Sequence, residues 1–500
     1  MSKQARPRFQ NDPDGERLPV KLDATTNGEY LPRPLAEHTL KTIRMASEQA
    51  GDNARRLGQG RREFLVSLSG AATCLLAMNK AAAAVGQTGG LFELPDEAAF
   101  EVAAADESIG KKEFIFDIQT HHFNPPDSWS NTTPWSEAIR QTAANTGCNV
   151  LPDEEFGYMS CSDARAFVRE IFLDSDTDAG VLTYVPTSEE KMPLSHAEAQ
   201  ATQQIVNAMP GGQRLLLHGR VIPNLPGDLE RMDELQAQFD VAGWKTYTQY
   251  GETHDSGWWL NDDGHGRAFL EKVRASGVKT ISCHKGLPLP FPMMGEGNLD
   301  YRFCHDVGPA AKEFSDIDFI IFHSGYDPDM AEGPFEPGKP KSGTDSLVQS
   351  VLDSELGTGS NVYAELGSTW QMVMREPDQA AHLIGKLLKY LGEDNVLWGT
   401  DCLFYGSPQD QIQAFRSFQI SDEFQDRFGY PRISDAVRAK VFGLSAARIY
   451  GIEPERATRA AQADAVGRAR AQYLAEADPT FRSYGPKTRR EFFQLAKAGH

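Results

Sequence analysis

Phe116-Asp117-Ile118-Gln119-Thr120-His121-His122 opens the part of the chain whose reading decides the fold. Apolar and polar residues alternate from Phe116 to Gln119, and Thr120 and two histidines end the run, the pattern of a β-strand carrying polar groups at its C-terminal end. That first strand is read over 113–119, and seven more follow at 180–186, 214–222, 241–247, 278–284, 318–323, 361–366 and 395–400. Helical patterns lie between them at 162–173, 193–209, 229–242, 266–276, 310–315, 343–356 and 378–391, and another follows at 436–450. Strand and helix in regular alternation predict a parallel α/β fold, and eight such units predict a (β/α)8 TIM-type barrel over residues 113–452. A doubly wound open sheet is the alternative, but no Gly-x-Gly-x-x-Gly loop follows the first strand. Long loops after strands 5 and 6, 285–294 and 326–341, fall on the C-terminal face of such a barrel, where active sites are built.

Outside the barrel the chain reads differently. Residues 1–60 are polar and lack steady periodicity, which predicts a flexible N-terminal extension. Arg61-Arg62-Glu63-Phe64-Leu65, a mildly apolar run to Met78 and the small residues Ala81–Ala84 resemble a twin-arginine export signal over 61–84. That reading predicts a periplasmic or secreted protein with the twin-arginine translocase as a partner; an amphipathic helix on a cytoplasmic enzyme is the other reading. Residues 85–112 form a polar leader to the barrel, and 453–500 a charged helical tail suited to packing or to contact in a homo-oligomer.

Composition narrows the function classes. Of 500 residues, 40% are hydrophobic and 24% charged, which excludes a wholly disordered chain, a collagen-like fibre and a polytopic membrane protein. With 50 Lys and Arg against 70 Asp and Glu, the net charge of −20 disfavours nucleic acid and anionic lipid and leaves small molecules as the expected partners. Six cysteines without CxxC spacing read as buried thiols, with a Cys148–Cys161 disulfide as the alternative in an exported protein.

The chemistry is concentrated at strand ends. Only 12 histidines occur, yet strand 1 ends at His121-His122, strand 5 at Cys283-His284-Lys285 and strand 6 at Phe322-His323-Ser324, while strand 8 closes Trp398-Gly399-Thr400-Asp401. Neighbouring side chains on a strand face opposite ways, so Gln119 and His121 share one face and Thr120 and His122 the other. Imidazoles and a carboxylate at the ends of strands 1, 5, 6 and 8 converge above a barrel and make a nest for one divalent ion, zinc or manganese. Each residue alone reads as a hydrogen-bonded turn residue, and Asp401 alone as a helix cap. Trp258, Trp259, Phe291 and Trp370 lie on loops that could line a substrate pocket or pack on themselves, and His254 and His265 read as surface histidines.

Asp117-x-x-x-His121, His284-Lys285-Gly286, His323-x-Gly325, Trp398-Gly399-Thr400-Asp401 and Leu444-Ser445-Ala446-Ala447-Arg448-Ile449-Tyr450-Gly451 together resemble the amidohydrolase superfamily over residues 113–452. The match is to its amidohydrolase-related branch, with aminocarboxymuconate-semialdehyde decarboxylase and resorcylate-type decarboxylases. The resemblance implies that His121, His284 and Asp401 hold one metal ion and that His323 is the neighbouring acid/base or polarising residue. Gln119 departs from the family's His-x-His or Glu-x-His; an amide is a weak ligand, so one metal is expected rather than two. Lys245 occupies a position similar to that of a metal-bridging carboxylated lysine in some members, but reads here as an ionic or hydrogen-bonding residue. Glu365, ending strand 7, could contact the site or form a salt bridge. The expected activity is hydrolysis of a small ester, lactone or amide, aromatic substrates included, by metal-activated water, with Asp401 and His323 catalytic. The alternatives are non-oxidative decarboxylation of an aromatic or unsaturated acid, and an inactive ligand-binding barrel.

Overall fold

The computed structural model describes residues 9–123, 162–186, 188–189, 192–208, 213–251, 256–288, 300–339 and 343–498. Cys148, Cys161, His254 and Phe291 fall outside them. Eight parallel strands pair in chain order: β1 Phe116–Thr120, β2 Ala179–Leu182, β3 Leu215–Arg220, β4 Val241–Tyr247, β5 Thr280–His284, β6 Asp318–Phe322, β7 Val362–Glu365 and β8 Val396–Leu397. The sheet curls until its ends meet. Thr120 bridges Cys402, the Ile118 amide donates to Trp398 O at 3.1 Å, and the Asp401 amide donates to Gln119 O at 2.9 Å. This is the TIM-type barrel that the alternation of elements predicts.

β6, Asp-Phe-Ile-Ile-Phe, is apolar at four successive positions because helices cover its outer face while side chains fill the inner one. Phe116, Val181, Leu216, Ile320, Phe322 and Leu397, from five strands, belong to one buried cluster with Ala446 and Ala447 of the helix Ser445–Tyr450. β8 is only two residues long. The backbone leaves the sheet there, and Asp401 sits at φ 61° in the left-handed region.

The N-terminal residues fold, where their polar composition predicts an extension. A 21-residue helix, Glu37–Leu57, buries His38, Thr39, Thr42, Ala46, Ala50 and Ala54 along one side. Its stripe is made of alanine and threonine, which pack closely but barely register in hydropathy. The stretch resembling an export signal forms the helices Arg61–Val66 and Leu68–Ala83, whose Ala71, Ala72, Cys74, Leu75 and Ala77 join the main core. Its two arginines are used inside the fold. Arg61 donates to Gly15 O at 2.8 Å and Ser47 O at 2.7 Å. Arg62, 3% exposed, donates to Pro479 O, lies 3.5 Å from Asp12 and 3.3 Å from Asp478, and covers the Phe481 ring. Arg62→Ala is expected to lower the unfolding free energy of the isolated protein by about 1–3 kcal/mol, from lost charge-assisted hydrogen bonds. An unchanged denaturation midpoint would show that the Arg62 contacts contribute nothing to stability.

Residues 85–112 add the short strand Gly90–Phe92, antiparallel to Phe418–Ile420, and the helix Val102–Ile109. The C-terminal tail carries the helices Pro454–Ala463, Ala465–Ala475 and Arg489–Ala498, and Asp464 pairs with the buried Arg214 at 2.8 Å. No helix among the described residues is long and apolar enough to cross a membrane.

Candidate metal centre

Strand alternation places the first two site residues. Gln119 and His121 both turn to Asp401: Gln119 Nε2 donates to Asp401 Oδ1 at 3.1 Å, and His121 Nε2 lies 3.0 Å from the same oxygen. His122 turns the other way, to Thr202 Oγ1 at 3.0 Å and the Phe167 ring. Asp401 Oδ2 receives Ser368 Oγ at 2.5 Å and Asn27 Nδ2 at 2.6 Å. Four donors thus converge on one buried carboxylate. Burial alone would push its pKa up, but the His121 contact, His323 and Ser368 more than offset this and hold it below the usual carboxylate value.

β5 and β6 supply a second pair. The His284 and His323 rings meet edge to face with centroids 4.6 Å apart, both fully buried. His284 Nε2 faces Leu287 O at 3.0 Å and His323 Nδ1 faces Gly367 O at 2.8 Å. A carbonyl only accepts, so those nitrogens carry the protons, and the lone pairs of His284 Nδ1 and His323 Nε2 are left over. Neither of these two nitrogens has a hydrogen-bond partner. Burial lowers the pKa of His323 to about 4 and that of His284 well below its ordinary value, so both rings are neutral.

A third donor comes from far upstream in the chain. Glu29 Oε1 lies 3.6 Å from His284 Nδ1, and Glu29 Oε2 lies 3.7 Å from His323 Nε2. One ligand atom from each of Glu29, His284 and His323 falls within 4.8 Å of the others. Two orphaned imidazole lone pairs and a carboxylate so spaced suit one divalent ion of the zinc or manganese type. Asn27 Nδ2 joins the two halves of the site, donating to Glu29 Oε2 at 2.5 Å as well as to Asp401. Burial, and then the charge of Asp401, raise the Glu29 pKa to about 8.

Backbone strain collects at the same place. His323, Ser324, Ser368 and Asp401 all have positive φ, between 54° and 67°, a region costly for residues with a Cβ and associated with functional sites. Glu365 holds two of these turns, accepting the His323 amide at 3.1 Å and the Gly367 amide at 2.6 Å. Lys245 is fully buried, its Nζ 3.8 Å from the Phe322 ring centroid and 4.4 Å from that of Tyr247, without a hydrogen-bond partner. Burial lowers its pKa to about 8.

The residues that the sequence brings to strand ends, His121, His284, His323, Asp401 and Gln119, therefore meet, with Lys245 and Glu365 beside them. The tryptophans do not. Trp258 packs on Phe269 with its Nε1 on Tyr247 O at 3.2 Å, and Trp370 packs on Phe415 and Phe418 with its Nε1 on Gln411 O at 3.0 Å. Trp259 lies over Tyr301 and His305. His265 is exposed, as a surface histidine should be. Asn27, Glu29 and Ser368 were not legible as site residues; the only signal was Asn27-Gly28, a turn dipeptide that does not say where the turn docks.

Comparison with known proteins gives the site a context. A family model described as Amidohydrolase matches residues 224–452. No curated protein matches the sequence. Among solved structures, an uncharacterised TIM-barrel protein of Bordetella bronchiseptica is similar at 12% identity and a TM-score of 0.42, over 69% of this chain and 99% of that one. A 5-carboxyvanillate decarboxylase of Sphingomonas paucimobilis is similar at 15% identity and a TM-score of 0.39, over 68% and 100%. An amidohydrolase 2 of Bifidobacterium longum subsp. infantis is similar at 14% identity and a TM-score of 0.35, over 68% and 100%. Residues 224–452, which hold β5 to β8, the histidines that end β5 and β6 and the helix Ser445–Tyr450, are similar to the amidohydrolase family.

Proposed function

We propose that the protein is a metal-dependent hydrolase acting on a small ester, lactone or amide. The observation that carries this reading is the buried Asp401 carboxylate, on which four donors converge beside two histidines with unused lone pairs. The ion, zinc or manganese, would be held by His284 and His323, with His121 and Asp401 next to it. When bound, it would supply Lewis acidity and water acidified to a pKa of about 7.

The chain's own residues do the rest. Asp401, kept ionised by its donors, takes the proton from the attacking water and passes it to the leaving group. His121 orients Asp401 and offsets the charge change as the proton moves. Ser368 and Asn27 fix the carboxylate from the other side, so it need not reorganise during the reaction. Glu365 keeps the His323 turn in place.

Lys245 supports a second reading, decarboxylation of an aromatic or unsaturated acid. A buried ammonium without a hydrogen-bond partner, flanked by aromatic faces, would hold the carboxylate of such a substrate. Elemental analysis of the protein and of His284→Ala tests both readings. About one equivalent of zinc or manganese is expected in the parent, falling below a tenth of that in the variant. Esters, lactones and amides would then be assayed for hydrolysis, and hydroxybenzoates for CO₂ release. A parent that takes up neither metal when supplied would leave a ligand-binding barrel instead of an enzyme.

A further inference from the structure

We infer that the turn Asn27-Gly28-Glu29, delivered from outside the barrel, is a working part of the metal centre: Glu29 supplies the carboxylate ligand beside His284 and His323, and Asn27 tethers it. This rests on the proposal that the centre takes a divalent ion.

β1 offers an amide where a carboxylate would be the stronger ligand, and Gln119 turns its Nε2 donor to Asp401. The missing carboxylate is present all the same. Glu29 is 8% exposed overall, and its two oxygens point one to each unpartnered imidazole nitrogen, at 3.6 Å and 3.7 Å. These separations exceed a hydrogen bond, yet an ion held between the three groups would satisfy all of them. A carboxylate buried this deeply needs a positive partner, and no lysine or arginine forms an ion pair with Glu29 among the described residues.

The turn is built to stay. Gly28 has φ 91°, which a residue with a Cβ rarely adopts, and the Glu29 amide closes onto Asn27 Oδ1 at 3.0 Å. On one side of the turn, Lys21 Nζ reaches Asp410 Oδ1 at 2.5 Å and the Thr25 hydroxyl reaches Ser483 Oγ at 2.8 Å. The Thr26 amide donates to Pro486 O at 2.9 Å, and on the other side Tyr30 and Tyr405 share a hydrogen bond at 3.1 Å. Residues 25–30 are all buried. Ligands held by such second contacts are preorganised. A chain cleaved near Ala84 would lose this carboxylate with its leader.

The test is zinc titration of metal-stripped full-length protein, parent beside Glu29→Gln, Asn27→Ala and His284→Ala, with the zinc-induced rise in melting temperature as a second readout. Glu29→Gln is expected to weaken zinc binding at least ten- to a hundredfold and to abolish most of the melting shift, and Asn27→Ala to weaken binding by a smaller factor. If Glu29→Gln does not fold, judged by the unfolding of its metal-free form, the Asn27→Ala titration decides, and parent-like affinity there overturns the inference. Parent-like zinc affinity in a folded Glu29→Gln also overturns it, and marks Glu29 as a stopper in the substrate's place if that variant gains activity. A parent that binds no zinc removes the metal reading itself, an outcome distinct from parent and Glu29→Gln binding equally.

Discussion

Asp401→Asn is expected to lower kcat by about 10²–10⁴ on the substrate that screening yields, the range associated with losing a positioned general base. The exchange is nearly isosteric, and asparagine tolerates the left-handed backbone at this position, φ 61°, so the turn is retained. What changes is the donor–acceptor balance. Aspartate accepts from His121 and Gln119 at Oδ1 and from Asn27 and Ser368 at Oδ2. In asparagine one of those two positions becomes an NH₂ facing donors, and the proton acceptor is gone. Steady-state kinetics beside elemental analysis separates two causes: lost turnover with metal retained identifies a base, whereas parallel loss of both identifies a ligand. A kcat within threefold of the parent would remove Asp401 from the proton transfer.

The largest stability effect is expected far from the site. Lys386 is buried and donates to both Glu332 and Asp345, and Glu332 also accepts the Thr344 amide at 3.0 Å and its hydroxyl at 2.6 Å. Lys386→Met leaves Glu332 charged in the interior and should cost about 3–5 kcal/mol in urea denaturation at pH 7. Burial pushes the Glu332 pKa up, but Lys386 more than offsets this and holds it below the ordinary value. A carboxyl depressed on folding contributes stability above its unfolded pKa, about 4.3, which is lost as pH falls through the lower folded value. The gap between parent and variant should therefore be full at pH 7 and shrink in acid. Adding Glu332→Gln to the variant should recover part of the loss, because the stranded charge is gone. A single variant within 1 kcal/mol of the parent at pH 7 would refute the account.

How far the sequence is legible differs between the barrel and its surroundings, for physical reasons. Strand runs such as 318–323 are apolar because both faces are buried, so they stand out from the helices between them. The period of two along β1 separates the roles of His121 and His122 without any knowledge of the partner strands. Asp401 is legible because the apolar run read as strand 8, 395–400, is followed directly by a carboxylate. Glu29 is not, since its place depends on hydrogen bonds to Ser483, Pro486 and Tyr405, hundreds of residues away, rather than on any local period. The helix Glu37–Leu57 was missed because alanine and threonine make a stripe that packs by shape more than by hydropathy. Trp258 and Trp370 take the packing alternative: large rings with one donor each find carbonyls and core neighbours, and a loop position in the sequence does not separate that from a pocket.

The pinning of residues 21–30 by the far end of the chain sets an order of events during synthesis. Thr25 and Ser483 are 458 residues apart. A ribosome adding roughly 5–20 residues per second needs about 20–90 s to make the second after the first. Throughout that interval the barrel histidines can emerge and collapse, while the segment carrying Glu29 lacks the residues that clamp it. The clamp on the segment carrying Glu29 therefore closes only once residues 483–486 have left the ribosome, and the metal loading proposed above would follow that step.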